Sequence, residues 1–524
     1  MDFCIKRDEG HLVASLPVAA PEVFQEDHQW FIGALLPSLK GIQMARLEWA
    51  RTPLNVPVET VEQSRQRHQQ VTERRHGVHV ICHRGASEFA HENTLEAYRA
   101  TFELGGDGNE IDIRSTKDGV LVCFHDDMLD RLLQGQGDVS DFTSEELRQL
   151  PFREPGTFGE YCRIPTLVEV LDLHRKHGGL MHLDIKRPGL DQAIAALLER
   201  MDMWDHVAYC NSENSGQLAK DPRLKLLRYK APGLYEDRSE VFPDVIAGAL
   251  SKPGDGLIVD DPRGVVVALG RKLGRVSKEP VAPLSTRTKP SQPEPPSEQE
   301  VLRILGDAGD WNQVANTKEE QATSGKRIRA RAWAADMLSV RHASSPEVFA
   351  ALEERVRHRS LHKDWLYHGL DGAMALRTLI VLQAPNAAAT ARFVLWRDDP
   401  GLEPVVDPRW NNPRAWTDFR VKMVVFPALE KCRGATTEKV CRDYLALSDN
   451  EAHRLAPPLF AEAAKTLLTV NPRTETALEL MQHRLRAVRG QVILVCLKRA
   501  KEPWAHEALE QAAPHALAYI VDAN

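Results

Sequence analysis

The sequence predicts an α/β domain built on a parallel sheet, followed by a second domain made of helices alone. Between residues 77 and 273, apolar runs of strand length alternate with helix-like stretches, the pattern of parallel strands joined by crossover helices. Four of those runs end in clusters of His, Arg, Asp, Glu or Lys, and parallel α/β sheets gather their working groups at strand ends. Beyond a proline-rich stretch the strand pattern stops, and helical periodicity continues to about residue 513.

A chain of 524 residues implies two or three domains. Residues 1–77 form an N-terminal extension without a clear core pattern, in which the polar stretch Val58–Arg75 predicts an exposed helix leading into the first strand. The sheet domain spans 78–276. Its first strand ends at His83-Arg84-Gly85, and Thr94–Leu104 reads as the first crossover helix. Thr143-Ser144-Glu145-Glu146 is a capping box ahead of Leu147, in which hydroxyl and carboxylate satisfy backbone N–H groups that the first helical turn leaves free. Thr166–His177 is amphipathic and stops at Gly178-Gly179, just before the strand Leu180–Lys186. Further strands are expected at His206–Cys210, Leu224–Tyr229 and Leu257–Asp260. Residues 277–300 carry six prolines and few apolar side chains, so they read as a semi-extended linker crossed by few contacts. That makes 301–524 a separable helical domain, solenoid-like or bundle-like. Ile328, Ala332, Ala335 and Leu338 share one helical face, as do Leu478, Met481, Leu485 and Val488. Breaks are expected at Ser344-Ser345-Pro346, Pro385-Asn386 and Pro457-Pro458.

Hydrophobic content of 43% and charged content of 27% are ordinary for a globular protein. A formal net charge of -7 argues against broad nucleic-acid binding, and the basic run Lys326–Arg331 reads as the solvated face of a helix. Eight cysteines are scattered without metal-ligand spacing. Cys82 and Cys123 lie inside strand runs as small buried hydrophobes, and Cys432 and Cys441 are expected as free thiols rather than a pair. No run approaches the ~18 apolar residues of a membrane span. Acidic Glu22, Glu26 and Asp27 precede the apolar stretch Trp30–Leu36 in place of a basic n-region. The sequence as it stands therefore reads as cytoplasmic, and as exported or periplasmic only with a different start.

Strand side chains alternate with period two, so Glu110 and Asp112 share a face, as do Asp184 and Lys186. Hard cations such as Mg²⁺ or Ca²⁺ prefer carboxylate oxygens, which makes Glu110, Asp112 and Asp184 candidate metal ligands. Arg84 can grip phosphate through its planar fork, and Lys186 adds a point charge. Phosphodiester hydrolysis needs one proton removed from the nucleophile and one delivered to the leaving alkoxide. Histidine titrates near neutrality, so His83 and His125 form a candidate catalytic pair, with His83 as base and His125 as acid. Taken singly, each residue has a plainer role. A strand-end histidine is more often structural, an isolated Glu-x-Asp is usually solvated, and Asp184 with Lys186 makes a salt bridge. Recurrence at successive strand ends shifts the weight to a divalent-metal site that handles phosphate.

These residues also resemble a known family. His83-Arg84-Gly85, Glu92-Asn93-Thr94, Glu110-x-Asp112, Thr116-x-Asp118-Gly119, His125-Asp126, Arg131, Gly135-x-Gly137 and Ile164-Pro165-Thr166-Leu167 follow the order seen in glycerophosphodiester phosphodiesterases. The resemblance runs from about Val78 to Lys186, and Gly256–Pro262 resembles the family's closing strand. It implies a (β/α)8 TIM-barrel-like fold, shortened or irregular here, and metal-dependent cleavage of glycerophosphodiesters to glycerol 3-phosphate and an alcohol in lipid metabolism. It also implies acid/base roles for His83 and His125, ligation of Mg²⁺ or Ca²⁺ by Glu110, Asp112 and Asp184, and phosphate binding by Arg84 and Lys186. Two departures stand out. The family usually has glutamate at Asp184, and its seventh-strand Trp-Thr pair has no counterpart between Tyr229 and Gly256. Only about seven strands fit the available length.

Two other readings stay open. One is a lysophospholipid-cleaving phosphodiesterase that forms a cyclic phosphate by attack of a neighbouring hydroxyl. The other is a low-activity barrel beside a protein-binding helical scaffold, with Trp396, Trp410 and Trp416 as contacts; filling a helical core is the plainer role for these residues. The expected partner is a small or lipid-derived phosphodiester.

Overall fold

The computed structural model describes residues 4–8, 11–15 and 59–521, except 282–296, 310–316, 397–422, 431–434, 448–456 and a few shorter stretches. Cys4–Asp8 (β1) and His11–Ser15 (β2) form an antiparallel hairpin. The helix Val61–His76 starts at a capping box, where the Thr60 side chain accepts from the Gln63 N–H. One of its sides is docked rather than exposed. Arg67 is buried there, ion-paired with Glu59 at 2.9 Å and Asp202 at 2.8 Å.

The main sheet comprises β3 (His79–Cys82), β4 (Gly108–Ser115), β5 (Leu121–Cys123), β6 (Leu180–Ile185), β7 (Val207–Asn211) and β8 (Gly256–Val259). Its order is β7-β6-β4-β3-β8, all parallel, with β5 antiparallel to the end of β4. The strands curl as a TIM-barrel-like sheet. Segment 227–230 spans the gap between the two edges: the Leu227 N–H donates to Ala208 O at 2.7 Å, and the Lys230 N–H to Gly256 O at 2.7 Å. Among the described residues the barrel is therefore short. One irregular stave stands between β7 and β8, and the expected strand Leu224–Tyr229 makes an isolated bridge at Tyr229 instead of a ladder.

Crossover helices cover the outside of the sheet. Leu167–His177 begins at the Thr166/Glu169 capping box and stops at left-handed Gly178. Its Val170 and Leu171 pack on Ile111 and Leu183 in one buried cluster.

From Glu298 to Ala512 the described chain is helical. Ile328, Ala332, Ala335 and Leu338 are fully buried in the helix Lys318–Val340, which packs against Leu370–Val381. Helices begin at Pro346, Ala387 and Pro457, in line with the expected breaks. Two expectations need correction. Leu478–Val488 is not one helix face, because Thr474–Met481 ends before Arg486–Lys498 begins. His483 holds the intervening turn, accepting from the Leu485 N–H at 3.2 Å and reaching Leu445 O at 3.1 Å. Nor is Lys326–Arg331 uniformly solvated: Arg331 is fully buried against Asp371 at 2.6 Å, and Arg329 pairs with Asp141 of the sheet domain.

The helical region is docked on the barrel. Arg153 pairs with Asp336 at 2.8 Å, Lys498 with Glu88 at 2.6 Å, and the Arg263 guanidinium donates to Tyr519 O at 3.1 Å. Met128 and Val241 of the barrel share an apolar cluster with the helices. Gly490 marks the tightest approach, since a Cβ there would lie 2.5 Å from Arg238 O. Many contacts therefore bypass the proline-rich linker, of which 282–296 lies outside the described residues. Trp396 packs against the helical core, edge-on to Tyr444 at 5.8 Å, whereas Trp410 and Trp416 fall outside the described residues. Cys82, Cys123 and Cys441 are buried free thiols, and Cys432 is not described. No helix among the described residues is long and apolar enough to cross a membrane.

Candidate active site

Parallel pairing of β4 and β6 sets Glu110 beside His182 and Asp112 beside Asp184. Glu110, Asp112 and Asp184 each present a carboxylate oxygen, and these atoms lie within 4.8 Å of one another. Asp184 reaches the cluster despite its short side chain because the register puts it directly alongside Asp112. Glu110 Oε2 is buried without a hydrogen bond. Burial pushes the Glu110 carboxyl up to about 7; His83 pulls it down and neighbouring Asp112 raises it again. Burial would raise Asp112 too, but Lys186, His125 and Arg84 outweigh it and hold its carboxyl well below the usual range. Three clustered carboxylates, two of them buried and one with an oxygen that accepts no hydrogen bond, make a set of hard oxygen donors. It fits a divalent cation.

The turn after β3 aims the next two groups. Arg84 and Gly85 both have positive φ, 59° and 87°. A Cβ on Gly85 would lie 2.8 Å from the Ala97 Cβ, so only glycine fits this turn. Arg84 Nη1 donates to Glu92 at 3.0 Å, and its Nε stands 3.6 Å from Asp112. Lys186 Nζ lies 2.8 Å from Asp112 and 2.6 Å from Asp184.

The two histidines sit in opposite fields. His83 holds Asp260 through Nδ1 at 2.9 Å, has Nε2 3.4 Å from Glu110, and stacks on Tyr235 at 3.9 Å. Burial lowers its pKa, but Glu110 and Asp260 more than compensate and raise it above the ordinary histidine value. His125 Nδ1 meets Asp126 at 2.7 Å. Here burial prevails over the pull of Asp112 and Asp126, and the pKa is lowered. Arg131 ties Asp126 and Glu92 together at 2.5 and 2.7 Å, linking the His125 side to Arg84.

All seven residues singled out in the sequence thus belong to one connected constellation at the strand ends. Several partners were missed. Asn93 donates to Asp112 at 2.7 Å and accepts from the Tyr98 hydroxyl at 2.6 Å. Asp260 was legible by the same strand-end rule, since it directly follows β8. Tyr235 and Arg238 carried no local pattern.

A model of the glycerophosphoryl diester phosphodiesterase family matches residues 83–220. A glycerophosphodiester phosphodiesterase of Caldanaerobacter subterraneus is 32% identical over 243 residues, covering 98% of that protein and 37% of this chain. The chain belongs to the glycerophosphodiester phosphodiesterase family. Glycerophosphodiester phosphodiesterase 1 of Mus musculus is 40% identical over 131 residues, 39% of its length and 24% of this chain. A glycerophosphoryl diester phosphodiesterase structure from Parabacteroides distasonis is 22% identical with a TM-score of 0.33, covering 91% of that chain and 39% of this one. Family membership makes this chain a phosphoric diester hydrolase. In this family member a cavity of about 590 Å³ opens beside His83, Arg84, Glu92 and Asp260.

Proposed function

We propose that the chain hydrolyses glycerophosphodiesters to glycerol 3-phosphate and an alcohol, with Glu110, Asp112 and Asp184 as ligands of a divalent cation, Mg²⁺ or Ca²⁺. The observation that carries this is the trio of clustered carboxylates, two of them buried and one with a Glu110 oxygen that accepts no hydrogen bond, beside two histidines and two cationic side chains. The cation, when bound, would polarise a phosphoryl oxygen and neutralise charge that develops on it. Arg84 and Lys186 would hold the non-bridging oxygens and orient the phosphorus.

The electrostatics favour His125 as base and His83 as acid, opposite to the assignment drawn from sequence. His125 donates Nδ1–H to Asp126, which leaves Nε2 to accept a proton, and its lowered pKa keeps it neutral near pH 7. His83 lies between Glu110 and Asp260, which favour its protonated form. A water gives its proton to His125 as its oxygen bonds to phosphorus. The bond from phosphorus to the leaving alcohol breaks, and His83 protonates the departing alkoxide.

The test is a panel of glycerophosphodiesters and lysophospholipids assayed with Mg²⁺, with Ca²⁺ and with EDTA. Release of glycerol 3-phosphate that depends on the cation is expected. A cyclic phosphate product, or cleavage of lysophospholipids alone, would replace this reading.

A further inference from the structure

We propose that the helical region builds the subsite for the alcohol portion of the substrate, and that this subsite selects a neutral polyol. The inference rests on the hydrolase reading above and adds to it where the specificity comes from. The cavity that begins at His83 and Arg84 passes Arg238 and continues to a far wall of Glu462, Lys465, Gln491 and Lys498. These residues come from the helices Pro457–Val470 and Arg486–Lys498.

The chemistry of that wall narrows the ligand. Its charges are matched: Lys498 lies 2.6 Å from Glu88, Lys465 lies 3.5 Å from Glu462, and Arg238 pairs with Asp260. No surplus positive charge is left for a second phosphate and no surplus negative charge for an ammonium group. The apolar side chains in the described lining are Phe89, Ala90 and Leu132, too few to seat an acyl chain. Gln491 supplies the decisive group. It is 5% exposed and its Oε1 has no hydrogen-bond partner, although it lines the cavity. A buried acceptor of this kind costs free energy until something donates to it. A hydroxyl does so while also accepting from Lys465 or Lys498. A group with several hydroxyls uses the mixed donors and acceptors of the wall without upsetting its charge balance.

The experiment compares glycerophosphoinositol, glycerophosphocholine and bis(4-nitrophenyl) phosphate as substrates of the full-length protein with Mg²⁺ or Ca²⁺. Gln491→Leu keeps the volume but removes the acceptor. It should raise KM for glycerophosphoinositol by about fivefold to tenfold, the worth of one well-placed hydrogen bond. The preference for that substrate over glycerophosphocholine should fall in proportion. Lys465→Met, at a side chain 40% exposed and so safe for folding, should lower the same preference. Preference unchanged within about twofold in both variants, or an equal loss on all three substrates, would overturn the subsite. A wild-type protein inert towards every diester with either cation would instead sink the hydrolase reading itself, and the subsite with it.

Discussion

Gly490→Ala tests whether the docking of the helices is integral to the fold. The residue lies inside the helix Arg486–Lys498 and is buried. At an unobstructed helical site, alanine would be favoured over glycine by ~1 kcal/mol. Here the new Cβ would lie 2.5 Å from Arg238 O and 2.6 Å from Arg238 Cβ. Neither atom can swing aside as a side-chain tip would, because Arg238 is held at φ 60° and its guanidinium is pinned on Asp260. Overpacking of this kind costs ~1–3 kcal/mol, which cancels the propensity gain and leaves a net loss of up to ~2 kcal/mol. Gly248 is the internal control: it sits in the helix Pro243–Leu250, where an added Cβ would meet nothing within 4 Å, so Gly248→Ala should gain up to ~1 kcal/mol. Urea unfolding of the two variants should therefore move in opposite directions. The damage should also reach catalysis, since Arg238 holds Asp260 and Asp260 holds His83. A shift of ~1 Å at His83 would lower kcat/KM by up to about a hundredfold. A Gly490→Ala protein stabilised as much as Gly248→Ala would refute the close packing of helix on barrel.

Four further outcomes are expected. Glu110→Gln and Asp112→Asn should each lower kcat/KM at least about a hundredfold, and EDTA should abolish wild-type activity until Mg²⁺ or Ca²⁺ is restored. Alanine at His83 or His125 should cost about 10² to 10⁴ in turnover, and a 4-nitrophenyl leaving group should rescue His83→Ala alone; rescue of His125→Ala instead would restore the opposite assignment. The pH profile of kcat/KM should be bell-shaped. Activity falls on the acid side as His125, with its lowered pKa, becomes protonated, and on the alkaline side as His83, with its raised pKa, loses its proton; an alkaline limb that survives in His83→Ala would contradict this. Removing 301–524 strips Met128 and Val241 of their apolar cover, so the truncated chain should bind ANS and aggregate, whereas a monodisperse truncation would bring back the freely separable module.

Much of the candidate site was legible in the sequence because its signals are local. His83, Arg84, His125, Asp184 and Lys186 stand at or next to strand ends, Glu110 and Asp112 alternate within β4, and a strand's period of two assigns such side chains to a face before any tertiary contact is known. The helix starts at Thr143 and Thr166 were legible for the same reason, since a capping box is a contact across three residues. Distant parts of the chain decided the rest. Asp184 joins Glu110 and Asp112 because β6 pairs with β4 in a register that sets it beside Asp112. His83 gains its raised pKa from Glu110 on the neighbouring strand and from Asp260, 177 residues away. The cavity wall at Lys465, Gln491 and Lys498 comes from helices whose own periodicity says only that one face is buried, not which surface buries it. Periodicity is a property of neighbouring residues. Which helix closes which cavity depends on the fit of two finished surfaces, here on Gly490 letting a helix settle against Arg238, and only the folded chain brings those surfaces together.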